Sequence, residues 1–230
     1  MMGYASLALL DLPPESEVAS MVSEIERAAQ RAADLTRQML AYSGKGRFVI
    51  QVISLDKVVK EMSQLLGTVI SKKATLYLDL KPAKMRADTT QIRQVVMNLI
   101  TNASDALEDQ VGVIRVRTGV RYADASELRT PYWPDELQAG EYAYIEVEDN
   151  GCGMSEDTLR RIFEPFFTTK FTGRGLGLAA ALGIVRAHKG AIKISSRMGR
   201  GSLFEVLFPS VSETPLKEGL RRIDSPQRKG

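Results

Sequence analysis

The chain has 230 residues, 44% hydrophobic, with a formal net charge of +3, which fits one large domain or one domain plus a smaller module. That charge, with no basic stripe and no aromatic platform, argues against a nucleic-acid binder. A single cysteine, Cys152, and a single histidine, His188, exclude an internal disulfide framework and a cysteine-based zinc cluster, and nearly exclude a histidine-ligated metal.

No apolar run is long enough to span a bilayer. The opening MMGYASLALLDL lacks a basic flank, and Asp11 and two prolines cut it short. The expectation is a cytoplasmic chain, or the cytoplasmic part of a longer one.

The first module covers residues 1–48. After Pro13-Pro14 a helix starts, and Val18, Met21, Ile25, Ala28, Ala32, Leu35 and Met39 recur at three- and four-residue spacing. That is a heptad seam, which one helix cannot bury alone. Residues 4–12 are read as an antiparallel partner, and residues 16–43 as a homodimer interface in a helix bundle. Gly44-Lys45-Gly46 ends the helix as a flexible joint.

The second module covers residues 49–209. FVIQVISL reads as a strand, residues 55–70 as a helix, and ATLYLDL as a second strand. Asp88 or Thr89 can cap a helix carrying Ile92, Val95, Val96, Leu99 and Ile100. GVIRVRTGV is a strand with its basic residues on one face, and residues 121–140 are a long polar connection. YAYIEVED is apolar enough for a central strand, and Ser155 starts a short helix. Residues 178–185 form a buried helix, and AIKISSR and SLFEVLF a closing hairpin. The order suits an α+β fold, a two-layer α/β sandwich with a mixed sheet covered by helices. Residues 210–230 turn to Ser, Pro, Lys and Arg and read as a linker or tail.

Three stretches carry chemistry. In QIRQVVMNLITNASDAL, Asn98 and Asn102 share a helix face, either as solvated amides or with a carbonyl oxygen on a hard cation such as Mg²⁺. In EDNGCGM, Asp149 stands where an apolar strand becomes a turn. It is either an ordinary Asp-Asn-Gly turn or a buried carboxylate needing a donor, for which the exocyclic amine of adenine would serve. Gly151 and Gly153 would let a base lie against the backbone, and Cys152 between them reads as a packing residue. In FEPFFTTKFTGRGLGL, Gly173, Gly175 and Gly177 open an apolar helix. Unpaired N–H groups and the positive dipole end there make an anion site; the plainer reading is a glycine-rich turn before a core helix.

As an ordered set, these stretches resemble the ATP-binding domain of sensor histidine kinases, in the fold shared with gyrase, heat-shock chaperones and mismatch-repair ATPases. Asn98 and Asn102 match its asparagine box, Asp149, Gly151 and Gly153 its first glycine box, and residues 163–167 its phenylalanine box. Gly173, Gly175, Leu176, Gly177 and Leu178 match its second glycine box. The wording is most similar to soluble hybrid kinases of the nitrogen-regulation type.

The resemblance implies ATP with Mg²⁺. Asp149 would hold adenine, Asn102 the metal, and residues 168–175 a short lid. Lys170 and Arg174 would face the phosphates and, with Asn98, form the catalytic set. Asp105, Met154, Phe167, Thr168, Thr169 and Ser202 would complete the nucleotide contacts. ATPase branches carry glutamate where Asn98 stands. An asparagine takes no proton, which favours phosphoryl transfer over hydrolysis.

The heptad module resembles the second half of a phosphotransfer hairpin, with residues 1–12 matching only the end of its first helix. His188, in the last turn of a helix before Gly190, reads as structural. The expected reaction is transfer of the ATP γ-phosphate to a histidine absent from this chain, then to a response regulator receiver. The rival readings are a nucleotide-binding dimerisation scaffold and a serine kinase of the anti-sigma type.

Overall fold

A computed structural model describes residues 2–13, 16–42, 49–67, 70–108, 110–129, 137–170 and 175–211. Two helices, α1 (Met2–Asp11) and α2 (Glu17–Tyr42), come first. They pack against each other, and Ala5 on α1 and Ala19 on α2 are both buried. A hydrogen bond from Ser6 to Glu26 fixes the antiparallel sense. Val18, Met21 and Ile25 of the heptad seam are exposed in the single chain. The side chains of residues 30–42 lie outside the described set.

The second module is a five-stranded mixed sheet in the order β2-β4-β5-β7-β6, built from β2 (Ala74–Leu80), β4 (Gly112–Ala123), β5 (Gly140–Asp149), β6 (Ala191–Arg197) and β7 (Gly201–Pro209). Only β2 and β4 run parallel. The other pairs are antiparallel. The crossover between the parallel strands passes through α4 (Thr89–Ala106), as parallel pairing requires. α3 (Leu55–Leu66), α4 and α7 (Gly177–Ala187) pack on one face.

Local chemistry sets these elements. Asp88 caps α4 by accepting from the N–H groups of Thr90 and Gln91. α4 buries Ile92, Val95, Val96, Leu99, Ile100 and Ala103 in a stripe of helical period. Truncating such a residue, as in Leu99→Ala, costs roughly 2–5 kcal/mol. Ser155 caps α6 (Glu156–Arg161) through the N–H of Thr158. On β5, alternation sends Ile145, Val147 and Asp149 to the helix-covered face and Glu146 and Glu148 to the other. The outer face carries ion pairs between strands, Arg117–Glu146 at 2.6 Å and Arg121–Glu205 at 2.7 Å. The basic residues of β4 therefore do share one face.

The structure departs from the sequence reading in four places. The first strand is only β1 (Gln51–Ser54). It pairs with β3 (Lys84–Ala87), which the sequence reading lacked, in a separate two-stranded sheet. β4 runs on to Ala123, and α5 (Ala125–Leu128) follows inside the stretch read as a plain connection. There Leu128 joins Ala123, Tyr142, Ala191 and Leu207 in a small core on the outer face. Finally, Ser210 bridges to Met85 and the N–H of Val211 donates to Lys84, so pairing continues past residue 209. Gly44-Lys45-Gly46 and the rest of the tail lie outside the described residues.

Candidate functional site

A cavity of about 440 Å³ opens between α4, the β5 end, the β6–β7 hairpin and the segment leading into α7. Alternation along β5 brings Asp149 to its wall, 4% exposed. The carboxylate accepts from the N–H of Gly151 at 2.8 Å, and the backbone N–H of Ser202, its register partner on β7, supports it. Burial nonetheless raises its pKa above the ordinary carboxylate value. The two N–H groups oppose that rise, Glu148 adds to it, and Lys170 opposes it weakly. A donor arriving from the cavity would meet an under-solvated anion.

Around Asp149 the backbone is folded tightly. Gly153 has φ +67° and lies so close to Arg197 that a Cβ would strike its carbonyl. The N–H of Cys152 donates to Ala106 at 2.9 Å, tying the turn to the end of α4. Ser196, which the sequence reading did not single out, organises the opposite side. Its hydroxyl accepts from Met154 N–H, donates to Gly201 O, and meets the Ser202 hydroxyl at 2.9 Å.

α4 supplies a second wall. Asn98, Asn102 and Asp105 fall at four- and three-residue steps on one stripe, but they divide the work. Asn102 and Asp105 line the cavity. Asn98 is not a lining residue; its amide donates to the carbonyl of Gly177 at 2.8 Å, holding the start of α7.

The third wall runs from Phe167 to α7. Phe167, Thr168, Thr169, Lys170, Gly175, Leu176, Gly177 and Leu178 all line the cavity. Phe166 has φ +69°, and its N–H donates to Gly175 at 2.8 Å, which draws the aromatic segment against the helix start. Arg161 stacks over Phe167, 4.4 Å from the ring centre. No side chain caps α7, whose first residues open on the cavity. The Lys170 ammonium lies 2.8 Å from Asp105 Oδ2 and 3.2 Å from Asn102 Oδ1.

Most predicted site residues thus converge: Asn102, Asp105, Asp149, Gly153, Met154, Ser202 and the third-wall set all line one cavity. Gly151 acts from behind it through Asp149. Gly173 and Arg174 lie outside the described residues. Ala106, Glu108, Thr158, Ile162 and Phe204 also line it and were not predicted. Ala106, Ile162 and Phe204 are ordinary apolar residues, and only the neighbouring Asp105, Phe163 and Ser202 pointed near them.

Cys152 is exposed and lines the cavity instead of packing in the core. Partial desolvation of its thiol, then Glu108 and Asp149, raise its pKa and keep it a poor nucleophile. His188 is buried, with Nδ1 2.8 Å from Ile184 O and Nε2 accepting from Asp88 N–H at 3.1 Å. That pattern fits the Nδ1–H tautomer. As the sequence suggests, its role is structural: it joins the end of α7 to the cap of α4.

Residues 87–212 match the family described as histidine kinase-, DNA gyrase B- and HSP90-like ATPase, and the chain belongs to that family. Within it, the chain corresponds to the ATP-binding catalytic core of sensor histidine kinases. It is 38% identical over 199 residues to the sensor kinase CckA of Brucella abortus, covering 84% of this chain and 20% of that protein. It is 32% identical over 176 residues to the signal transduction histidine-protein kinase AtoS of Escherichia coli, covering 75% and 26%. The chain therefore spans about a fifth to a quarter of the length of these relatives. The fold also matches full-length ShkA, solved in complex with AMPPNP, at a TM-score of 0.68 and 20% identity, over 92% of this chain and 42% of that one. Among the described residues no helix is long and apolar enough to cross a membrane.

Proposed function

We propose that the chain binds Mg-ATP in this cavity and serves as the phosphoryl-donating core of a cytoplasmic two-component kinase. The observation that carries this is Asp149, a desolvated carboxylate on the wall of the same cavity that receives Lys170, Asn102 and the uncapped start of α7. A carboxylate with burial-raised pKa suits the exocyclic amine of adenine. Lysine and free helix N–H groups suit phosphates. Arg174 would add a second cation to the phosphate side.

The metal belongs with Asn102. Its amide oxygen already holds a cation, the Lys170 ammonium, so the donor fits a hard ion that keeps phosphate oxygens as its other ligands. When bound, Mg²⁺ would neutralise phosphate charge. This chain's part is to fix the nucleotide and exclude water, so that the γ-phosphate meets an acceptor from outside.

That acceptor is a histidine supplied by another segment or chain. The only histidine here, His188, is buried with both ring nitrogens engaged. A response regulator receiver would take the phosphate next. The exposed stripe of Val18, Met21 and Ile25 supports a homodimer through residues 16–43. Residues 1–48, 49–209 and 210–230 would be hairpin, catalytic domain and tail.

Incubation with γ-labelled ATP tests this. The chain alone should gain no acid-labile phosphate, and a histidine-bearing hairpin added in trans should be labelled in its presence. Strong labelling of the chain itself, or none of the added hairpin, would count against the proposal.

A further inference from the structure

Lys170, Asn102 and Asp105 form a cluster whose geometry goes beyond a phosphate contact. Asn102 and Asp105 stand three residues apart on α4, and their oxygens converge on one point of the cavity wall. The Lys170 ammonium fills that point, 2.8 Å from Asp105 Oδ2 and 3.2 Å from Asn102 Oδ1. One amide oxygen and one carboxylate oxygen converging on a cation are a donor set for Mg²⁺, which takes one or two protein oxygens and completes its shell with phosphates and water. Among the described residues no cluster brings together three or more acidic, histidine or cysteine ligands, so a metal here would rest on few protein oxygens.

We propose that Lys170 is a placeholder cation: the divalent ion of a metal–nucleotide takes its position on Asn102 Oδ1 and Asp105 Oδ2, and the freed lysine moves onto the phosphates. This rests on the nucleotide reading above and adds Asp105 as a metal ligand. Two cations cannot share those oxygens, since at such separations like charges repel strongly. The pair is also built to yield. The side chains of Lys170 and Asp105 are 37% and 55% exposed, and an exposed ion pair contributes little, whereas a phosphate chain offers the ammonium charge-assisted hydrogen bonds. Lys170 belongs to the segment in which its own N–H donates to Thr168 Oγ1 at 3.1 Å. Metal arrival therefore breaks the contact of Lys170 with α4. Without Lys170, Asp105 would set a bare negative charge beside the phosphates; with the metal in place it becomes a ligand.

The test is calorimetric titration of ADP with Mg²⁺ and with EDTA, on the full chain and on Asp105→Asn and Lys170→Met, with melting temperatures confirming that both variants fold. The readout is the ratio of affinities with and without metal. In Asp105→Asn the ratio should fall about tenfold, because a charged ligand is lost from the metal. In Lys170→Met it should rise severalfold: the metal complex loses the lysine's phosphate contact but also its competitor, whereas without metal Asp105 is left as a bare charge beside the phosphates and binding falls further. Mn²⁺ titrated without nucleotide and followed by electron paramagnetic resonance should bind more tightly to Lys170→Met than to the wild type. A ratio unchanged by either variant, or Mn²⁺ binding unaltered by loss of the lysine, overturns the exchange. If the wild type binds ADP in neither condition, the nucleotide reading falls and takes this proposal with it. If it binds Mg-ADP and only the ratios fail, the exchange alone is wrong.

Discussion

The amide nitrogen of Asn98 donates to the carbonyl of Gly177 at 2.8 Å, fastening the middle of α4 to the first turn of α7. Only a side chain with a donor at that reach can make the bond. Asn98→Glu would set a carboxylate against a carbonyl. Losing the bond should cost about 1–2 kcal/mol, which lowers the melting temperature of a domain this size by roughly 2–8 °C. Both Asn98→Glu and Asn98→Ala should show that shift, along with weaker Mg-ADP binding as the helix start drifts from the cavity. Unchanged melting in both would mean the amide only faces solvent.

His188 should be a stability residue. Its removal leaves the N–H of Asp88 without its acceptor and opens space beside Phe208, whose ring it meets edge-on at 6.3 Å. His188→Ala should destabilise the fold by about 2–4 kcal/mol, read by urea denaturation. The residual folded protein should still bind Mg-ADP. Loss of phosphoryl transfer in a variant of wild-type stability would instead give His188 a chemical role.

Asp149 predicts a pH-dependent stability difference in the ligand-free protein. Burial raises its pKa in the fold, so the folded state binds the proton more tightly than the unfolded chain. Its stabilising contribution is therefore largest below the unfolded carboxylate value of about 3.9 and is lost as pH rises through the folded value. At neutral pH the charge is a cost that Asp149→Asn removes. The variant should melt at or above the wild type at pH 7, and its advantage should shrink on acidification. A variant less stable at pH 7 than at low pH, relative to wild type, would contradict this.

Glu205 offers a control away from the cavity. It accepts from Arg121 at 2.7 Å and lies 3.9 Å from Lys193 on the outer face of the sheet. Glu205→Gln should cost roughly 0.5–1.5 kcal/mol, above the level of a fully exposed pair because Glu205 is mostly buried. Thermal melts should show that loss with Mg-ADP affinity unchanged. A shift in affinity would mean the outer face is coupled to the cavity.

Much of this fold was legible where local rules act alone. The caps at Asp88 and Ser155 and the stripe along α4 sit where side-chain spacing puts them. So does the inward turn of Asp149 at the end of an alternating strand. What escaped depends on partners distant in the chain. β3 is four residues long, with Lys84 and Arg86 alternating with Met85 and Ala87 after a proline, and only its pairing with β1 makes it a strand. α5 is a single turn that gains its meaning from Leu128 covering Tyr142 and Leu207. Ser196 looks like any strand serine until Met154, Gly201 and Ser202 close around it. The Lys170–Asp105 pair joins residues 65 positions apart, and no spacing rule reaches that far.

Titration of Mg-ADP against wild type and Asp149→Asn is the most direct test of the account as a whole. Exchanging the charged acceptor for an amide, with one of its two oxygens replaced by an NH2 donor, should weaken binding by about 2 kcal/mol or more, roughly thirtyfold, while the variant keeps its fold. Equal affinity in the two proteins would place the nucleotide away from Asp149 and contradict the assignment of this cavity.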